Sequence, residues 1–243
     1  MAAAAAALAL NKIANSVLYP PHPYYPLDAL VNGYVENKDG VPYLLTLFFG
    51  ACAILFTATY FVGQSVTPKL NRVELFSTMW FVLSGAIHLI FEGYYALNFA
   101  NMGEKQTILG QLWKEYAFSD SRYLTQNAFV LCMESVTAAF WGPGCLIVAY
   151  MIVVRHPMRY PLQMLVSGGQ FYGDVLYYAT CGFDHFVWGK TYARPEPFYF
   201  WFYFFFMNFI WIVIPGYLII EGSIVSARAI DKAQRQEKGK KVQ

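Results

Sequence analysis

Apolar residues run along this chain in long unbroken blocks, not in the two- or 3.6-residue alternation of a half-buried soluble element. Val41 to Pro68 holds no charged residue. Leu75 to Gly103 is interrupted only by His88 and Glu92, Leu124 to Val154 only by Glu134, and Tyr160 to Phe183 only by Asp174. Pro197 to Ile220 is again uncharged. A hydrocarbon core of about 30 Å, crossed at about 1.5 Å per residue, needs about 20 mostly apolar residues in a helix. The pattern therefore predicts helices near 43–66, 76–99, 127–154, 160–181 and 198–221. The fold class expected is an all-α membrane protein, a five-transmembrane-helix bundle enclosing a membrane-embedded ligand cavity.

Composition agrees with that pattern. Of 243 residues, 13% are charged, about half the usual share of a soluble domain and too few to cover one. The net charge of +2 lacks the basic excess of a nucleic-acid-binding protein. Cys52, Cys132, Cys145 and Cys181 show no CxxC or Cys/His spacing and read as small hydrophobes. The chain divides into three regions: an N-terminal tail over 1–42 expected on the luminal side, the five-helix domain over 43–221, and a basic cytosolic tail over 222–243. The alanine-rich opening lacks the basic region of a secretory signal. Four prolines in Tyr19–Pro26 (YPPHPYYP) require an extended or turned chain.

Orientation comes from the basic residues. The side shared by the tail carries ten Lys and Arg in about 40 loop residues, against seven in about 85 on the other, which makes the tail cytosolic by the positive-inside rule. The chain ends in KKVQ, which resembles the dilysine retrieval signal of endoplasmic reticulum membrane proteins.

An ionisable group in the apolar core costs about 2.5–3.5 kcal/mol on insertion scales, so each one asks for a reason. Counted from the luminal helix ends, Glu92, Glu134 and Asp174 all fall roughly 10 Å deep, His88 and Asn208 roughly 15 Å, and Trp211 slightly deeper. His88 and Glu92 are i,i+4 neighbours on one stripe. Glu134 and Thr137 are i,i+3, as are Asn208 and Trp211. Gly169 and Gly173 form a small-xxx-small pair that lets another helix approach. Each polar residue also has a structural reading. A lone membrane histidine or asparagine bonds helices together, and Asp174 could be bonded to Gln170 or a tyrosine beside the glycine contact, or line the cavity as a cation- or substrate-binding group. The aromatic run Phe198–Phe206 reads as lipid-facing surface. Four helices bringing polar groups to one depth favours a functional set of His88, Glu92 and Glu134.

No GxGxxG, P-loop, HExxH or GxSxG motif is present, and neither a cofactor nor a metal is expected. What remains is acid–base chemistry on an apolar ligand, with Trp211 able to face a cation.

Several blocks resemble the emopamil-binding protein family, the sterol Δ8→Δ7 isomerases of the endoplasmic reticulum membrane. They are Trp80–Tyr94 (WFVLSGAIHLIFEGY), Gln111–Tyr123 (QLWKEYAFSDSRY), Cys132–Pro143 (CMESVTAAFWGP), Gly169–Tyr177 (GQFYGDVLY) and Tyr199–Asn208 (YFWFYFFFMN). The likeness covers roughly 75–222. It implies that a Δ8-sterol is protonated at C9, passes through a carbocation at C8, and loses a proton from C7. By position, His88 and Glu92 match the family's HxxxE pair, Glu134 and Thr137 its ExxT, and Asn208 and Trp211 the amide and indole of its ligand site. Trp113, Tyr116 and Asp120 match loop residues that close the site or bind the 3-hydroxyl. The resemblance further implies cationic amphiphilic amines as inhibitors, surrounding membrane lipid as a partner, and leaves room for a homodimer. The alternatives are a non-catalytic receptor or carrier of the sigma-2 type, which shares the bundle, and a proton-coupled transporter, for which no inverted repeat is seen.

Overall fold

A computed structural model describes residues 18–68 and 70–241 of the chain. The alanine-rich opening, Lys12, Lys69 and the side chains of the KKVQ end lie outside the described residues.

All regular structure among the described residues is helical. In chain order it comprises α1 (Val41–Val66), α2 (Arg72–Glu104), α3 (Ile108–Tyr116), α4 (Ala128–Val153), α5 (Arg159–Trp188) and α6 (Tyr199–Gly239). Helices α1, α2, α4 and α6 are long and apolar enough to cross a membrane. With its 30 residues α5 matches them in length, but a buried seam of Gln163, Ser167, Gln170 and Asp174 makes it the most polar of the long helices. Helix α6 also runs well past the expected end at 221. Its extension is exposed and carries an Asp231–Arg235 pair at 3.0 Å in i,i+4 register.

The helix starts are written locally. Asn71 and Glu74 make a reciprocal capping box at the head of α2, each side chain accepting the other's backbone N–H at 2.9 and 3.0 Å. Asn127 caps α4 by accepting the N–H of Val130 at 3.2 Å. Gly189, at φ +64°, ends α5 in the left-handed conformation that glycine adopts without strain.

Three of the membrane-length helices contain a π turn: Ile87–Glu92 in α2, Thr137–Trp141 in α4 and Tyr199–Phe206 in α6. Each ends in an N–H bonded five residues back, Gly93 to the His88 carbonyl, Gly142 to Thr137 and Met207 to Phe202. In α4 the cause is visible in the sequence. Pro143 has no N–H and its ring crowds the carbonyl four residues earlier, so the ladder widens just before it. The π turns of α2 and α4 pack against each other.

Helix α5 packs chiefly on α6, α2 on α4, and α1 on α2. At the α2–α4 crossing, a Cβ on Gly142 would stand 2.7 Å from the Leu89 side chain, so only glycine permits this approach. Two buried clusters result. One, around Tyr95, Trp113, Tyr123 and Tyr177, lies at the end of the bundle covered by the N-terminal segment. The other, around Trp80, Phe81, Cys145, Ile152 and Leu218, lies toward the C-terminal tail.

The N-terminal segment forms a strap over α3. Its prolines hold it in bends and extended chain, as expected, and Tyr24 is buried. Tyr24 Oη donates to the Lys114 carbonyl at 3.0 Å, Lys114 Nζ to the Val35 carbonyl at 2.7 Å, and Gln111 Nε2 to Asp39 Oδ2 at 2.7 Å. Burial, with Lys38 nearby adding to it, pushes the Lys114 ammonium down to about 8.

Candidate active site in the bundle interior

Between the two clusters lies a cavity of about 470 Å³, within the roughly 300–1,000 Å³ range of small-molecule sites. Its wall is mainly aromatic and aliphatic, and residues from α1 to α6 contribute to it. Of the ten residues singled out from the sequence, nine line this cavity: His88, Glu92, Trp113, Tyr116, Glu134, Thr137, Asp174, Asn208 and Trp211. Asp120 does not.

The α2 π turn carries the first polar group. His88 Nδ1 lies 2.8 Å from Glu92 Oε2, and the buried His88 Nε2 lies 3.0 Å from Gln170 Nε2. With Nδ1–H donating to the carboxylate, Nε2 accepts from the Gln170 amide, which also reaches Cys145 Sγ at 3.3 Å. The imidazole is thus held at both nitrogens. Trp211 stands over it with ring centroids 5.0 Å apart, and Trp80 backs Trp211 at 4.9 Å.

Helix α4 supplies the facing group. Glu134 is buried and its Oε1 accepts from Tyr123 Oη at 2.7 Å. Glu134 on α4 and Glu92 on α2 line the same cavity. Thr137 Oγ1 turns back to the Met133 carbonyl at 2.6 Å, so its hydroxyl proton is already committed to its own helix.

Around this set the capped end is tied down. Asn208 Nδ2 donates to Tyr116 Oη at 2.9 Å and to the Phe204 carbonyl at 2.6 Å. Trp113 stacks on Phe91 at 4.3 Å and donates its N–H to the Phe91 carbonyl at 2.9 Å. Glu115 faces Tyr203 Oη at 3.3 Å. Burial raises the Glu115 carboxyl, opposed by that hydrogen bond and by Arg194. Asp120 sits behind the wall, fully buried, where the Arg122 Nε and NH2 groups grip both its oxygens at 2.7–3.0 Å. Arg122 also donates to Thr180 Oγ1 at 2.9 Å and lies over the Tyr177 ring.

Asp174 differs from its expected structural role. Gln170, the partner the spacing offers it, is turned to His88 and Cys145, and Asp174 Oδ2 is buried with no hydrogen-bond partner among the described residues. Of the glycine pair, Gly169 makes the close contact: a Cβ there would stand 2.3 Å from the Trp141 indole. At Gly173 the nearest atom, in Met133, would be 4.0 Å away.

Sequence reasoning missed Tyr123, Gln170, Glu115 and Tyr203. Gln170 carries a legible signal, one turn from Asp174 on a buried face. The tyrosines and Glu115 are brought in by loop folding and a π turn, which periodicity does not report.

Residues 108–222 match the family described as EBP, the EXPERA (expanded EBP) superfamily. The chain is similar to a 3-beta-hydroxysteroid-Delta(8),Delta(7)-isomerase of Cavia porcellus, 38% identical over 91% of this chain and 97% of that protein. It is similar to the protein of that name from Rattus norvegicus, 40% identical over 84% and 88%. It also resembles isomeliandiol synthase ISM1 of Ailanthus altissima, 34% identical over 69% of this chain and 77% of that one.

Proposed function

The chain belongs to the emopamil-binding protein family, and we propose that it is a 3β-hydroxysteroid Δ8→Δ7 isomerase that moves the C8=C9 double bond of a sterol to C7=C8. The observation that carries the chemistry is the placement of Glu92, held by His88 on α2, and of Glu134 on α4 on the wall of one mostly apolar cavity. The reaction needs one proton given and one taken at carbons two ring bonds apart, and these two carboxyls offer a donor and an acceptor on one cavity wall.

A proton from the His88/Glu92 pair adds to C9, and the electron pair of the C8=C9 bond forms the new C9–H bond. The positive charge left at C8 faces the Trp211 indole, whose π face attracts cations. Glu134 takes the proton from C7, and the C7–H electrons become the C7=C8 bond. Tyr123, hydrogen-bonded to Glu134, orients the accepting carboxylate. Transfer of that proton from Glu134 back to Glu92 within the cavity restores the donor, so the cycle is balanced. Asn208, Tyr116 and Trp113 shape the wall around the rings, and Thr137 packs with them.

The same reading takes α5 as the fifth spanning helix, because its length is comparable to theirs and Gln170 and Asp174 of its polar seam line the cavity. The distribution of basic residues sets the C-terminal tail in the cytosol. The tail and the sterol chemistry together favour the endoplasmic reticulum membrane. Protonated amphiphilic amines suit the cavity as mimics of the C8 cation.

The test is turnover of a Δ8-sterol by purified protein in deuterated water. The expected product is the Δ7-sterol with one deuterium at C9. A Δ7 product with no label at C9, or no product at all, overturns the proposal.

A further inference from the structure

The polar groups lining the cavity have partners, with exceptions concentrated on one helix. Tyr123 holds Glu134, Tyr116 holds Asn208, and His88 holds Glu92. On α5, however, Gln170 Oε1, Asp174 Oδ2 and Tyr177 Oη are buried, belong to cavity-lining residues, and have no hydrogen-bond partner among the described residues. Asp174 is 8% exposed and Gln170 5%. The Gln170 and Asp174 oxygens are acceptors, i,i+4 on the same face of the helix, and the Tyr177 hydroxyl can donate or accept. A buried acceptor without a donor is costly, and more so when charged. Two such acceptors on adjoining turns, on residues that line a ligand-sized space, describe a seat for a donor that arrives with the ligand.

We propose that Asp174, assisted by the amide oxygen of Gln170, binds the 3β-hydroxyl of the sterol and thereby sets where the ring system stops in the cavity. This rests on the isomerase reading above. The 3β-hydroxyl is the one hydrogen-bond donor shared by all substrates of that class. It projects from the A ring, with part of the B ring between it and the C8=C9 bond. Asp174 lies one turn, about 6 Å along the axis, from Gln170, whose amide touches the reacting His88. The offset between hydroxyl and double bond in the substrate thus matches the offset between Asp174 and the proton-transferring set. With its hydroxyl on Asp174, the sterol presents its B ring to His88, Glu92 and Glu134. Asp120, which the sequence offered for the same task, is occupied by Arg122 outside the cavity.

Asp174 acts here as a substrate-anchoring residue and takes no part in proton transfer. The experiment compares a Δ8-sterol with its 3-deoxy analogue as substrates of the full chain in lipid nanodiscs, for the wild type and for Asp174→Ala and Asp174→Asn. The wild type is expected to favour the 3β-hydroxy sterol in kcat/KM by roughly 10- to 100-fold, the value of a hydrogen bond to a charged group. Asp174→Ala should bring that ratio to within roughly threefold of unity, through a higher KM for the hydroxy sterol, while the 3-deoxy analogue is turned over as before. Asp174→Asn, isosteric and still able to accept, should keep an intermediate ratio. It gives the same reading if the alanine variant does not fold.

An unchanged hydroxy-to-deoxy ratio in the variants overturns the anchor, whatever the overall rate. So does an equal fall in kcat for both substrates, which would mark a proton-transfer role. A wild type that isomerises neither sterol fails the isomerase reading instead, and the two failures are distinct.

Discussion

Tyr123 Oη lies 2.7 Å from Glu134 Oε1, joining the loop before α4 to the carboxyl inside it. The loop is thereby part of the reaction site. Tyr123→Phe should keep the ring packing and lose the hydrogen bond. We expect kcat for Δ8→Δ7 conversion to fall roughly 10- to 100-fold, with binding of a radiolabelled amphiphilic amine within a fewfold of the wild type. Glu134→Gln should lower kcat by roughly 100- to 10,000-fold, the value of general acid–base catalysis, with amine binding retained. A Glu134→Gln protein with wild-type turnover would remove this residue from the mechanism.

The Asp120–Arg122 pair is fully buried, and its loss should be a stability effect before it is a catalytic one. Arg122→Met leaves the Asp120 charge buried and uncompensated, at a cost of about 3–5 kcal/mol. The double variant Asp120→Leu/Arg122→Met should recover part of that loss. Thermal unfolding in detergent, followed by tryptophan fluorescence, reads both. Equal destabilisation in the single and double variants would mean that the pair's packing, not its charge balance, is what the fold needs.

Gly169 and Gly168 make a matched pair for testing the α4–α5 contact. Gly169→Ala should cost about 1–3 kcal/mol, because its methyl meets the Trp141 indole, and it should displace a ring that lines the cavity. At Gly168 a Cβ meets nothing within 4 Å, so Gly168→Ala should be neutral or stabilise by up to about 1 kcal/mol. Melting temperatures that move alike in the two variants would contradict the close approach.

Lys114 gives the strap a pH dependence of known sign. Its ammonium is pushed down to about 8, whereas in the unfolded chain it titrates near 10.4. Between those values the unfolded state binds more protons, so this lysine's contribution to stability rises with pH. Below about 8 both states are charged and the full burial penalty is felt. Melting temperatures measured from pH 7.5 to 9.5 should rise more, or fall less, in the wild type than in Lys114→Met. Parallel curves would show that Lys114 does not titrate in this window.

Much of the site was legible because a membrane makes polar residues conspicuous. Counting by depth drew His88, Glu92, Glu134, Asn208 and Trp211 together, and all five line one cavity. The helix centres came from apolar runs, while the ends of two helices moved outward: α2 starts at its Asn71 cap and α5 continues to Gly189. The rest depended on contacts without a period. Asp120 and Tyr123 are three residues apart in one loop, yet one is locked behind the wall by Arg122 and the other reaches Glu134. Lys114 and Gln111 lie between apolar runs, where no period reports that the strap buries them. Asp174 looked bonded to Gln170 because spacing reports which residues are neighbours but not which way an amide turns.

The π turns bear on how this chain can change over generations. A π turn differs from an α turn by one inserted residue, and those in α2 and α4 carry His88, Glu92 and Thr137. Deleting a single residue inside the turn of α4, for example Ala138, would restore regular α geometry. It would also swing the first half of the helix, Glu134 included, by about 100° relative to the second half. Substitutions along these helices are gradual alterations, whereas a lost codon at either turn would be a rotation of half the site. The reading frame of the π turns is thus as much an inherited part of the catalyst as the side chains they present.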